Sequence, residues 1–120
     1  MGRFRRVTPV RSFTQFERGV LQQVASAIRA VEPDARIILY GSRARGDAAP
    51  ESDWDFLVLL DGDVDRARRD RVRHALYDLM LVLDECLLFS SIVRSTGEWA
   101  SSRYRAMPFR HNVEREGIPL

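Results

Sequence analysis

Apolar residues recur at helical spacing from Thr14 onward, with Phe16, Val20, Val24, Ala27, Ile28 and Val31 on one side of a helix. Thr14 and Glu17 stand in the Ser/Thr-x-x-Glu order of a capping box, which places the start, and Glu32-Pro33 places the end. The period then changes. Arg36 to Tyr40 (RIILY) is short, apolar and β-branched, lies between Pro33-Asp34 and Gly41, and reads as a buried strand. Gly41 to Ser52 is small and polar and closes on Ala49-Pro50-Glu51-Ser52, a turn composition. Asp53 to Leu60 (DWDFLVLL) reads as a second strand, stopped by Asp61-Gly62. A helix from Asp63 to about Met80 turns Val64, Val72, Ala75, Leu76 and Leu79 to one side. Its other side carries Arg66, Arg69, Asp70, Arg73 and Tyr77, a solvated face with local Asp partners. Leu87 to Val93 (LLFSSIV) has the composition of a third strand. After it, Ser95 or Thr96 caps a short helix through Glu98 and Trp99, and Phe109 to Glu116 forms a last helix ending at Gly117. The order is α, β, β, α, β, α, with no internal repeat and no linker long enough to divide it. Residues 1–13 read as a basic arm and residues 14–120 as one domain.

Composition narrows the class. At 120 residues, 45% hydrophobic and 30% charged, the chain suits a single globular domain without disulfides. All 19 basic residues are arginine, which removes chemistry that needs a lysine amine, including Schiff bases and a P-loop lysine. The net charge is only +2, and a concentrated basic segment is found only in the arm (Arg3, Arg5, Arg6, Arg11), so nucleic acid is not expected as a partner. One cysteine, Cys86, excludes an intrachain disulfide, and with two distant histidines it excludes an ordinary structural zinc site. No run approaches the roughly 18 apolar residues of a membrane span, and the arm lacks the apolar core of a signal peptide. A soluble, cytoplasmic protein with no membrane partner is the expectation. Asp61, Asp63 and Asp65 imitate the opening of an EF-hand loop, but Arg66 and Val72 stand where Gly and Glu are required, and helix capping accounts for them.

The informative segment runs from Leu39 to Val58. Residues i and i+2 of a strand share a face, so Asp53 and Asp55 present two carboxylates together while Trp54 faces away. Two close carboxylates repel unless a cation sits between them, and such hard oxygen ligands suit Mg²⁺, which leaves its other positions to water and phosphate oxygens. Gly41-Ser42 directly after a strand supplies the complement. Glycine allows an unusual backbone angle and a close approach, and the following N–H groups with the Ser42 hydroxyl form a phosphate site. Donors for a polyphosphate opposite carboxylates for its metal fit phosphoryl or nucleotidyl transfer.

Gly41-Ser42, ten intervening residues and Asp53-x-Asp55 resemble the signature of the minimal nucleotidyltransferase family, within the DNA polymerase β-like superfamily. Arg43, Arg45, Gly46 and the Pro50-x-Ser52 before Asp53 also resemble common choices of that family. The resemblance implies an α/β (α+β) fold, a small mixed β-sheet with helices packed on one face. It implies transfer of AMP from ATP with Mg²⁺ and release of pyrophosphate. Gly41 and Ser42 would hold the triphosphate, Asp53 and Asp55 the metal and the catalysis, and Arg43 and Arg45 would contact phosphates. Active members usually carry a third acid on the next strand. Here Cys86 to Val93 contains none, and Asp84, which shares parity with Cys86, Leu88 and Ser90, would be the third ligand only if that strand begins early.

Stand-alone members of this family are commonly the antitoxins of HEPN ribonuclease toxins, which they inactivate by adding AMP to a tyrosine. The resemblance therefore implies an Mg²⁺-dependent protein adenylyltransferase with a HEPN-type toxin and ATP as partners, in a homo- or hetero-oligomeric assembly. A small domain needs a partner to supply a macromolecular acceptor. A catalytically degenerate antitoxin that neutralises its toxin by binding alone is the alternative, and transfer to a small molecule or an RNA end ranks below both. Arg69 with His74 and Arg105 with His111 imitate the Arg-x4-6-His signature of the all-helical HEPN ribonucleases, but three strand-like segments argue against that fold.

Overall fold

A computed structural model describes residues 12–83 and 87–120. Most of the basic arm, residues 1–11, and the candidate ligand Asp84 lie outside the described residues. Helix α1 (Gln15–Val31) begins at the expected capping box: the Glu17 amide donates to Thr14 Oγ1 at 3.0 Å and the Thr14 amide to Glu17 Oε1 at 2.9 Å. Its buried residues are Val20, Leu21, Val24 and Ile28. Phe16 falls in the same stripe but is exposed, one turn before the first core residue.

Four strands form the sheet, in the order β3-β2-β1-β4. Strands β1 (Arg36–Tyr40) and β2 (Trp54–Leu60) pair antiparallel, with Tyr40 opposite Asp55. Between them the expected loop contains one helical turn, α2 (Ser42–Arg45). The long helix α3 (Arg66–Val82) carries the chain from the end of β2 to the start of β3 (Phe89–Ser95), the crossover that a parallel β2–β3 pair requires. Asp65 caps α3 by accepting from the Arg68 amide at 2.9 Å, whereas Asp61 Oδ1 accepts from the Thr96 hydroxyl at 3.0 Å, so of the acidic run one member is the cap. Its arginine face is solvated as expected, with Arg66 and Arg73 both paired to Asp70.

Alternation along β1 and β2 divides the core. Ile37, Leu39, Trp54, Phe56, Val58 and Leu60 meet α1 and α3 on one face. Ile38, Leu57 and Leu59 meet Trp99, Val113 and Phe109 on the other. The two long helices thus share one face, as the fold class implies. The short helices α4 (Thr96–Trp99), α5 (Ser102–Arg105) and α6 (Pro108–Glu116) add a cover to the opposite face. Burial on both sides explains the unbroken apolar run Phe56 to Leu60.

Two links close the ends. Arg110, buried beneath the short helices, donates to the Trp99 carbonyl at 2.8 Å and pairs with Glu114. A two-residue strand, β4 (Ile118–Pro119), lies antiparallel to β1, and the Leu120 amide donates to the Ile37 carbonyl at 2.8 Å. Neither α5 nor β4 has a hydrophobic period long enough to be read from the chain. No described helix is long and apolar enough to cross a membrane.

Candidate active site

Strand β1 ends at Tyr40, and Gly41 turns the chain with φ at 80°, a region that side chains rarely adopt. The Gly41 carbonyl accepts from the Ala44 and Arg45 amides, both at 3.0 Å, and so closes the single turn of α2. Gly46, also at positive φ, ends it. A turn this short has no useful macrodipole. What it offers is local: the first amides, which no earlier carbonyl of the helix can take, and the hydroxyl of Ser42.

One of the two carboxylates, Asp55, stands against this turn. Asp53 immediately precedes β2 and is exposed; Asp55 is the second residue of β2 and half-buried; Trp54 between them is buried on the opposite face. A Cβ placed on Gly41 would lie 2.5 Å from Asp55 Oδ2, so the bare backbone of the turn and the carboxylate are in direct contact. Glycine is required there twice, for its angle and for its space. The other oxygen of Asp55, Oδ1, accepts from the Ser90 hydroxyl at 2.8 Å. Ser90 is the residue beside Asp55 in the parallel β2–β3 register. The strand that would bring a third acid to the site begins at Phe89, and the position facing Asp55 on it holds a neutral hydroxyl.

Tyr40 completes the floor. It pairs with Asp55 across the sheet and meets Phe109 edge to face. Burial, and secondarily the negative charge of Asp55, push its phenol up to about 12 from the ordinary 10, so it stays neutral. Two arginines of α2 diverge. Arg45 remains on the turn's side, pairing with Asp47 and Glu116 and lining a pocket of about 250 Å³ with Tyr40, Gly41 and Phe109. These pairings, the Asp47 hydrogen bond first, raise its pKa further. Arg43 is engaged by backbone: its Nη2 donates to the Pro50 and Ser52 carbonyls, both at 3.0 Å.

A family model described as a nucleotidyltransferase domain matches residues 21–107, a span that contains the turn, both carboxylates and Ser90. The chain belongs to that family. No curated protein matches it. For a nucleotidyltransferase domain the arrangement is coherent: the Gly41 turn and Asp55 meet although they are fourteen residues apart in the chain.

The donor set fits one divalent cation. Two adjacent carboxylates, one of them pressed on a bare glycine and steadied by a hydroxyl, leave most of a six-oxygen shell to water and phosphate, as Mg²⁺ is usually held. Asp53 and Asp55 would hold it, and it would neutralise charge on the phosphates. Among the described residues no three His, Cys, Asp or Glu side chains come together as a larger cluster. Of the participants, Ser90, Tyr40 and Glu116 carry no local signal. Ser90 meets Asp55 only through a strand register that spans 35 residues.

Proposed function

We propose that this nucleotidyltransferase moves AMP from ATP to a hydroxyl of a partner protein, a tyrosine of a HEPN ribonuclease toxin, and thereby acts as an antitoxin. The observation that carries nucleotidyl transfer is the contact of the Gly41 turn with Asp55, which supports reading the turn as phosphate donor and Asp55 as acid ligand of one site. ATP and Mg²⁺ enter the proposal through the family resemblance and through the fit of that donor set. A protein acceptor is supported by the surface beside it. A groove of about 480 Å³ between α3 and β3 is lined by Tyr77, Met80, Phe89 and Ser90, and Tyr77, Leu81, Val82 and Leu88 expose apolar surface nearby. The groove borders the β3 strand at Ser90, whose hydroxyl donates to Asp55 on the other face of the sheet, so a segment resting there is separated from the carboxylates by the thickness of that edge strand.

In the proposed reaction the turn amides and Ser42 orient the triphosphate. The acceptor oxygen attacks the α-phosphorus, a new O–P bond forms, the α–β bridge breaks, and pyrophosphate leaves. Tyr40, neutral and half-buried beside Asp55, adds no competing charge. With a hydroxyl at Ser90 in place of an acid, the acceptor's proton leaves to solvent.

Ser90 also favours a second reading, neutralisation by binding alone. ATP labelled on its α-phosphate, Mg²⁺ and a HEPN-type protein separate the two. Covalent AMP on a tyrosine is the expected result. Complex formation without label means that the chain works as a binding module.

A further inference from the structure

We propose that Arg43 is a positioning residue. Its guanidinium braces the loop before β2 so that Asp53 and Asp55 stand together, and it does not contact the phosphates. This rests on reading those two carboxylates as the divalent-cation site.

The geometry is that of a clamp. Arg43 Nη2 donates to the Ser52 carbonyl at 3.0 Å, Nε donates to the same oxygen at 3.3 Å, and Nη2 also reaches the Pro50 carbonyl at 3.0 Å. Its Cζ lies 4.6 Å from the centre of the Trp54 ring. One side chain therefore grips the residue before Asp53 through its carbonyl and the residue after it through its indole. The gripped loop is folded on itself as well, with the Ser52 amide donating to the Ala49 carbonyl and the Ala49 amide to Ser52 Oγ, both at 3.0 Å.

Direction decides against a phosphate role. Trp54 is buried among the residues that face α1 and α3, whereas Asp55 and Ser90 meet beside the Gly41 turn. A guanidinium laid over that indole, with Nε and Nη2 spent on two carbonyls, is turned away from the carboxylates. Among the described residues the cations that line the pocket on the turn's own side are Arg45 and Arg115. The flat fork of arginine suits both tasks of the clamp, stacking and paired donation, and lysine supplies neither.

The test is Mn²⁺ binding without nucleotide, read by calorimetry or by the spin resonance of free Mn²⁺. It uses the wild type, Arg43→Ala, Arg43→Lys and the double variant Asp53→Ala with Asp55→Ala. Binding of inorganic tripolyphosphate in EDTA and a thermal melt accompany it. Removing a nearby cation would by charge alone tighten Mn²⁺ binding. The clamp predicts the opposite, a loss of about tenfold in Arg43→Ala, partial recovery in Arg43→Lys, and tripolyphosphate binding within about twofold of wild type. A lower melting temperature with unchanged Mn²⁺ affinity, or a tripolyphosphate loss that exceeds the Mn²⁺ loss, overturns the proposal. If Arg43→Ala does not fold, the same comparison is made with Arg43→Lys, and wild-type Mn²⁺ affinity there counts against the clamp. Loss of Mn²⁺ in the double variant alone removes Arg43 and leaves the site reading intact. No loss in the double variant removes both.

Discussion

At Gly41 the backbone angle and the missing Cβ answer to different neighbours, the strand end and Asp55 Oδ2. Gly41→Ala should therefore cost about 1–2 kcal/mol in backbone strain. It should also push Asp55 off its place, so that transfer and Mn²⁺ binding fall together. Denaturation with a Mn²⁺ titration of the folded variant checks this. Ser90 gives a sharper contrast. Ser90→Ala removes the donor to Asp55 and should lower stability by about 1 kcal/mol in a denaturant series. Ser90→Asp sets a third carboxylate beside Asp55; it should destabilise the protein in EDTA and recover that stability when Mn²⁺ is added. If Mn²⁺ does not restore it, the carboxylates do not form a cation site. Tyr40 adds a pH dependence. Its folded pKa stands above its unfolded value, so its contribution is complete below about 10 and lost as pH rises from 10 towards 12. Phenolate absorbance compared with Tyr40→Phe reads it directly.

Between elements, Arg68 ties the junction of α1, α3 and the β2–α3 loop, with Arg71 as a second, longer pair to Glu32 at 3.7 Å. Arg68 Nη2 pairs with Glu32 Oε1 at 2.7 Å and its Nε with Oε2 at 2.9 Å, while Nη1 reaches the Asp61 and Asp63 carbonyls. The hydrogen bond from Arg68 holds the Glu32 carboxyl below its ordinary value despite burial. Because the folded pKa is depressed, the stabilisation is present above the unfolded value and lost as pH falls through the folded one. Glu32→Gln should cost about 1.5–3 kcal/mol near neutrality, and its deficit should shrink on acidification, measured by urea unfolding at both pH values. At the other end Gly117 packs so tightly that a Cβ would stand 2.5 Å from the Val113 carbonyl and 2.6 Å from Ile38 Cγ2. Gly117→Ala should loosen α6 and β4 together, by about 1–3 kcal/mol in the same assay.

Across the whole molecule the site sits where two kinds of strand pairing meet. The antiparallel β1–β2 pair brings Tyr40 and the Gly41 turn to Asp55, and the parallel β2–β3 pair brings Ser90. Asp53→Ala with Asp55→Ala should abolish transfer while the melt stays cooperative, because neither side chain is in the core. Much of this was readable along the chain. The capping box of α1, β1 from Arg36 to Tyr40 and the strand after Asp53 rest on interactions within a few residues, which composition and period encode. Helix α5 and β4 were not, since one turn or two residues carry no period, and they are held by packing on the sheet. The glycine turn after β1 was also legible, because a glycine's freedom is a local property. What Arg43 and Ser90 do was not. The carbonyls that Arg43 grips come from Pro50 and Ser52, seven and nine residues on, and Ser90 is one of two adjacent serines until the register chooses it. Sequence alone determined which chemistry is present. Only the tertiary structure decided which neighbours hold that chemistry in place, because those contacts are set by the packing of strands and helices far apart in the chain.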